Sequence, residues 1–104
     1  MNEVGSDGYN ANLASVHSQA EANLLAARVA SMNHPWIGGV RYQGSFAWTD
    51  GSAPDFENWD MGEPNNWGGA ENCAHIIAWS GNWNDKGCNN DLDYICMTSK
   101  RTYY

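Results

Sequence analysis

The spacing of hydrophobic positions along the chain changes once, at Pro35. Before that point apolar residues recur at helical intervals, and Ser18-Gln-Ala-Glu21 has the form of a capping box, in which the serine caps the first turn and Glu21 reaches back. This pattern predicts one helix, from the box to about Ser31, because the residue before a proline disfavours helical torsion angles. The predicted buried face of the helix consists of Ala22, Leu25 and Val29.

Beyond Pro35, short runs rich in aromatic or β-branched residues are separated mostly by Gly, Asn and Asp, so each run predicts a short strand. The runs are residues 36–40, 46–49, 74–79 and 94–97. Between Asp50 and Glu71 no periodicity is present, and loops of about 20 residues in compact domains are usually either functional or disordered. Trp59 and Trp67 inside this stretch indicate an ordered loop. The predicted fold class is α+β, with one or two helices, short antiparallel sheets and a long ordered loop region.

Length, composition and charge indicate the number of domains and exclude some classes of partner. The length and the absence of internal repeats predict a single domain over residues 1–104. The 12 Asp and Glu outnumber the 5 Lys and Arg, and a formal charge of −7 disfavours nucleic acid and anionic membranes as partners. No apolar run reaches the ~20 residues of a membrane span, so we expect no membrane insertion. The residues expected in the core are Trp36, Trp48, Phe56 and Trp83.

The cysteines Cys73, Cys88 and Cys96 match no zinc-binding spacing. One disulfide and one further thiol is the simplest account, and it fits a small extracellular domain. The three histidines are interpreted as ordinary surface or strand residues: His17, His34 and His75.

Oxygen-bearing side chains gather in the long loop and just after it. They are Glu63, Asn65, Glu71, Asn84 and Asp85. Carboxylate and amide oxygens are the ligands that calcium prefers, whereas zinc prefers imidazole and thiolate. A cis peptide bond before Pro64 would turn its two neighbours to the same side. A Cys73–Cys88 disulfide would hold the ligand-bearing segments together, and closing a 15-residue loop stabilises by about 3 kcal/mol.

A series of motifs now resembles one family, the C-type lectin-like domains, in the family's own order. The motifs are Leu13-Ala-Ser-Val-His-Ser18 with Glu21, Trp36-Ile-Gly-Gly39, Trp48-Thr-Asp-Gly51, Asn58-Trp59, Glu63-Pro-Asn65, Glu71-Asn-Cys73, Trp83-Asn-Asp85 and Tyr94-Ile-Cys96. The resemblance extends from about Asn12 to Met97. It implies a C-type lectin-like fold and one principal calcium site formed by the five oxygen-bearing residues. The family's second calcium site needs acids where this chain has Arg41, interpreted as part of a solvated loop, so a second calcium is not expected.

The resemblance also implies a ligand. Glu63-Pro-Asn65 is the form associated with mannose, fucose, glucose and N-acetylglucosamine, which share neighbouring equatorial 3- and 4-hydroxyls. Each hydroxyl would give a lone pair to calcium, donate to Glu63 or Glu71, and accept from the amide of Asn65 or Asn84. Trp67 would either stack on a sugar face or pack on Trp59. We therefore expect a secreted, extracellular lectin for cell-surface or microbial glycans, as in innate immune recognition.

The chain also departs from the family pattern. The family's partner for the last cysteine would lie near Ser6, where no cysteine occurs, so Cys96 remains outside the Cys73–Cys88 pair. Cys96 is then either buried as a small hydrophobic residue or used to join two chains. The final strand, without its usual partner, is expected to present an open edge. Both features predict a homodimer, through Cys96 or through that edge.

Two other functions compete with sugar binding. Some lectin-like domains bind protein or ice surfaces, although a complete set of five ligands has no evident need to survive there. A glycosidase could use Glu63 and Glu71 as paired acids, but metal ligation would keep both as charged ligands. We therefore expect no enzymatic activity.

Overall fold

The computed structural model describes residues 3–4, 10–98 and 101–104. Its strands are β1 (Glu3–Val4), β2 (Asn10–Leu13), β3 (Trp36–Tyr42), β4 (Ser45–Trp48), β5 (Cys73–Ile76), β6 (Trp83–Lys86) and β7 (Cys96–Thr98). One helix, α1 (Gln19–Val29), and one short 3₁₀ turn, Trp67–Gly69, complete the described elements. No helix in these ranges is long and apolar enough to cross a membrane.

The helix begins and packs as its sequence predicts. Ser18 Oγ accepts the Glu21 amide hydrogen at 3.2 Å, and Glu21 Oε1 accepts from the amide of His17 at 2.8 Å. The predicted face of Ala22, Leu25 and Val29 is buried. The local capping and spacing signals were therefore sufficient to locate α1.

The strands form two antiparallel sheets. One has the order β1-β2-β7 and the other β4-β3-β5-β6. Four of the strands correspond to the predicted runs, whereas β1, β2 and β6 were not predicted. The side chains of β6 alternate between buried and half-buried, which places Trp83 and Asp85 inward and leaves Asn84 half-buried.

The core lies between α1 and the sheets and is closed by aromatic rings beneath the long loop. Trp83 contacts Trp48 and Trp59 edge-on, with ring centroids 5.4 and 5.6 Å apart. Phe56 packs against Trp83 at 6.0 Å. Trp48, Trp83 and Phe56 therefore take the predicted core positions, whereas Trp36 is half-buried and donates to the Asn90 carbonyl.

The prediction of an open edge on the final strand was wrong. Strand β7 pairs with β2 on one side, and the end of the chain folds back along the other side. Cys96 and Tyr104 exchange main-chain hydrogen bonds of 2.7 and 2.8 Å, and the Thr98 amide donates to the Thr102 carbonyl at 2.9 Å. The sequence analysis did not predict this pairing, because Thr102-Tyr103-Tyr104, although made of residue types that favour strands, is shorter than the four residues of a typical strand run.

The Cys73–Cys88 disulfide is present and joins the start of β5 to the segment after β6. Cys96 is 7% exposed within β7. Its burial agrees with the first of the two predicted roles, a small residue packed in the core. The position near Ser6 lies outside the described residues.

Candidate functional site

The start of the long loop is fixed by a polar network. The Asp50 carboxylate accepts from the hydroxyls of Ser15 and Ser52. His17 lies 2.9 Å from Ser52 Oγ through Nε2 and 2.7 Å from Asp55 Oδ1 through Nδ1. The order of groups is that of a Ser-His-Asp triad, but Ser52 donates its proton to Asp50, so the serine is not activated by His17. The network serves to hold the loop against the segment before α1.

The middle of the loop is docked on β6. The Trp83 amide donates to the Asn58 carbonyl, and the Asp60 amide donates to the Trp83 carbonyl, both at 2.8 Å. The Asn58 side chain adds a bond of 3.1 Å to the Gly81 carbonyl. These contacts lay the residues that follow Asp60 over β6.

Asp85 links the loop to β6. Its side chain is fully buried. Its carboxylate accepts from the amides of Asn65 and Asn66, at 3.3 and 2.7 Å, and from Arg41 Nη2 at 2.8 Å. Three donors from two segments thus satisfy a carboxylate that would be costly to bury alone.

Three of the predicted ligands meet above Asp85. The Glu63–Pro64 peptide bond is cis, and Glu63 Oε1 accepts the Asn65 amide hydrogen at 3.1 Å. The Trp67 amide lies 3.2 Å from Asn65 Oδ1 and 2.9 Å from Glu71 Oε1. One N–H group therefore brings the side-chain oxygens of Asn65 and Glu71 to the same place.

The carboxylates are close enough to influence one another. Burial raises the pKa of Glu63, and the neighbouring Asp85 and Glu71 carboxylates raise it further, against a lowering by the Asn65 amide. Nearby like charges disfavour the charged form of Glu63, and a bound cation would relieve the repulsion.

Asn84, on β6, contacts His75 on the neighbouring strand β5. Its Nδ2 lies 3.2 Å from His75 Nε2, while His75 Nδ1 lies 3.3 Å from the Ile76 carbonyl. An Nδ1–H that donates to the carbonyl leaves Nε2 as the acceptor from Asn84. Burial also lowers the pKa of His75, which favours this neutral form. The contact fixes the amide nitrogen of Asn84, a role for His75 that the sequence did not indicate.

The donor set fits calcium better than zinc. In the described part of the chain, no three His, Cys, Asp or Glu side chains could hold a metal by themselves. A cation here would therefore depend on the amide oxygens of Asn65 and Asn84 as well as the carboxylates. A mixed set of hard oxygen ligands suits calcium.

The prediction that Arg41 lies in a solvated loop was wrong. Arg41 is part of β3, its side chain is 17% exposed, and it pairs with Asp85. The two partners are 44 residues apart, so no local pattern could reveal the contact. Arg41, like His75, thus makes a contact at the candidate site that the sequence reasoning missed.

The rim of the site carries exposed apolar side chains. Trp67 is 77% exposed and Met61 94% exposed. Trp59, by contrast, packs against Phe46 and Trp83. Two roles were predicted for Trp67, stacking on a sugar face or packing on Trp59. Its exposed position agrees with the first of these roles.

Comparisons with known proteins agree with this architecture. The family model described as "Lectin C-type domain" matches residues 6–98. Ladderlectin of Oncorhynchus mykiss is 48% identical over 90 residues, which cover 79% of this chain and 47% of that protein. The chain thus spans less than half the length of this relative, and 26% of the low affinity immunoglobulin epsilon Fc receptor of Mus musculus.

Solved structures have the same fold. The cow C-type carbohydrate-recognition domain of CD23, in the presence of a GlcNAc2Man3 oligosaccharide, superposes with a TM-score of 0.74 at 38% identity, covering 83% of this chain and 67% of that one. A calcium-independent type II antifreeze protein also gives a TM-score of 0.74, at 30% identity, covering 83% and 66%.

Proposed function

The chain belongs to the C-type lectin domain family, and from that membership we propose that it is a calcium-dependent lectin for mannose-type sugars, without catalytic activity. The observation that carries the proposal is the meeting of Glu63, Asn65 and Glu71 on a loop docked to Asp85. The same oxygen atoms can serve a cation and a sugar diol at once.

Four of the five predicted ligands would also bind the sugar directly. Calcium, when bound, would accept lone pairs from two neighbouring equatorial hydroxyls. Glu63 and Glu71 would accept the hydroxyl protons, and the amides of Asn65 and Asn84 would donate to the hydroxyl oxygens. His75 supports this role of Asn84, because it fixes the direction of the amide nitrogen.

The exposed rim extends the contact. Trp67, two residues beyond Asn65 and exposed, would stack on the apolar face of a bound sugar. A shallow polar site of this kind binds a monosaccharide weakly, so useful affinity requires several sites acting together. Such a lectin would work outside the cell, on the glycans of cell surfaces or microbes.

Retention on mannose-agarose tests the proposal. In millimolar calcium the chain should be retained, and EDTA or free mannose should elute it, while galactose-agarose retains less. Glu71→Gln should lose retention because it removes a carboxylate shared by cation and sugar. Glu57→Gln, the same change at an exposed position of the loop, is the matched control and should behave like the parent. A parent chain that passes through mannose-agarose in calcium would contradict the proposal.

A second candidate function rests on a specific contact. The Arg41–Asp85 pair already supplies a positive partner for the buried carboxylate, and one structural relative is a calcium-independent antifreeze protein. A lectin-like module that binds a protein or ice surface without calcium fits these two facts. Thermal hysteresis or ligand binding that persists in EDTA and ignores free mannose would favour it.

A further inference from the structure

Arg41 connects two segments that carry predicted ligands. Its Nη2 donates to Asp85 Oδ2 at 2.8 Å, and its Nε and Nη2 donate to the Glu71 carbonyl at 3.3 and 3.1 Å. One guanidinium therefore joins β6 to the end of the long loop. A lysine could not span both acceptors in this way, because it lacks the planar fork of donors.

The guanidinium is itself held in place. It lies over the Phe46 ring, with the carbon of the guanidinium 4.8 Å from the ring centroid. Phe46 in turn packs on Trp59 at 4.8 Å, and the Arg41 main chain donates to the Asn72 carbonyl at 2.8 Å. The core side of the site thus fixes the position from which Arg41 acts.

Asp85 depends on this partner. It is fully buried, and apart from Arg41 it accepts from the neutral amides of Asn65 and Asn66. A buried carboxylate without a compensating charge is strongly destabilising. When no calcium is bound, Arg41 supplies that charge.

We propose that Arg41 is a positioning residue, which keeps the loop docked on Asp85 in the absence of calcium, so that the binding site is formed before its ligands arrive. The proposal rests on the proposed function for the meaning of the site, but its test does not require calcium or sugar to bind. A preformed site binds more tightly because the cost of ordering the loop is not paid on binding.

Amide hydrogen exchange in EDTA is the test, read by NMR at Asn65 and Asn66, whose amides donate to Asp85. Arg41→Met should speed exchange of both amides at least about tenfold, which is about 1.4 kcal/mol of lost protection. Arg41→Lys, which keeps the charge but not the planar fork of donors, should give exchange rates between those of the parent and those of Arg41→Met. Arg28→Met, an arginine exposed in the last turn of α1, is the matched control and should leave both rates unchanged.

Two further readouts separate positioning from general stability. Exchange at Ile95, in the core next to β7, should change far less than at Asn65 and Asn66. Calorimetric titration should give a weaker calcium affinity for Arg41→Met, by several-fold. Unchanged exchange at Asn65 and Asn66 in EDTA, or tighter calcium binding by Arg41→Met, would overturn the proposal. A parent chain that binds no calcium would instead count against the proposed function, and the exchange result in EDTA would still decide the role of Arg41.

Discussion

Asp85 shows how much of the site depends on a single side chain. It is fully buried, yet it receives bonds from the loop amides of Asn65 and Asn66 and from Arg41 on β3. If the proposed function holds, Asp85 has two roles, since it would hold the loop without calcium and bind calcium when it arrives. The contribution of Asp85 to holding the loop can be measured by itself when a chelator removes calcium.

Asp85→Asn should lower the free energy of unfolding in EDTA by about 3 kcal/mol, because it leaves Arg41 with no carboxylate partner in a buried position. Urea unfolding followed by tryptophan fluorescence measures the change. Asp91→Asn, at an exposed position, should change stability by less than about 0.5 kcal/mol. Combining Asp85→Asn with Arg41→Met should cost less than the sum of the single changes, since both remove the same contact.

Asp50 gives a prediction about pH. Burial raises the pKa of its carboxyl, but the hydroxyls of Ser15 and Ser52, the Ser52 amide and the nearby His17 together bring the pKa below its ordinary value of 3.8. The folded chain therefore favours the carboxylate more than the unfolded chain does. Its contribution to stability is present above about pH 4 and is lost as the pH falls through the lowered pKa.

Asp50→Asn should accordingly reduce stability at pH 6, and the difference from the parent should shrink steadily below pH 4. Urea unfolding across this range, with Asp91→Asn as the control, measures the trend. A difference between parent and variant that stays constant from pH 6 to pH 2.5 would contradict the assignment of the network to Asp50.

The helix and four of the strands could be predicted from the sequence because their signals are local. A capping box, a helical repeat and runs of aromatic or β-branched residues each lie within a few neighbouring positions. Strand β6 was missed because two of its four residues, Asn84 and Asp85, are residue types that strands disfavour. Asp85 fits a buried strand position only because Arg41, far away in the chain, compensates its charge.

In the candidate site, too, the local signals could be predicted and the contacts between distant residues could not. Motif order was enough to nominate the five oxygen-bearing residues, and their role as ligands stays a prediction. The contacts of Arg41 and His75 arise from strand pairing and loop docking. Such contacts depend on the register between strands, which no short stretch of sequence contains.

The end of the chain acts as an element in its own right. Residues 102–104 cover the outer edge of β7, and Arg101 pairs with Glu21 of α1 at 2.7 Å. Deleting residues 101–104 should lower the free energy of unfolding by about 2 kcal/mol through the lost main-chain bonds. The uncovered edge should also make the chain associate as concentration rises, which sedimentation velocity would detect.

The matched control for this deletion is Arg101→Gln, which removes the ion pair with Glu21 and the side-chain bond to the Ser15 carbonyl but keeps the main-chain bonds of residues 102–104. It should cost less than about 1 kcal/mol and leave the chain's sedimentation unchanged. A truncated chain that is as stable as the parent, and sediments identically at every concentration, would show that the edge needs no cover.

At the scale of the whole molecule, calcium should appear as added stability. A ligand that binds the folded chain alone shifts unfolding by mass action, by about 2.7 kcal/mol at 100 times its dissociation constant. For a domain of this size that gain raises the thermal midpoint by roughly 10–20 °C. The reason lies in the site itself, where burial and the neighbouring carboxylates of Asp85 and Glu71 raise the pKa of Glu63, and a bound cation would relieve this repulsion.

Thermal unfolding in calcium, magnesium and EDTA distinguishes the two candidate functions. Magnesium should give a much smaller shift than calcium, because it needs near-octahedral geometry and gives up its water reluctantly. Acid below pH 5 should reduce the calcium shift, since protons compete for the ligand carboxylates. A midpoint that is equal in all three solutions would mean that Arg41 and the loop amides satisfy Asp85 without a cation, and it would favour the calcium-independent surface-binding module over the lectin.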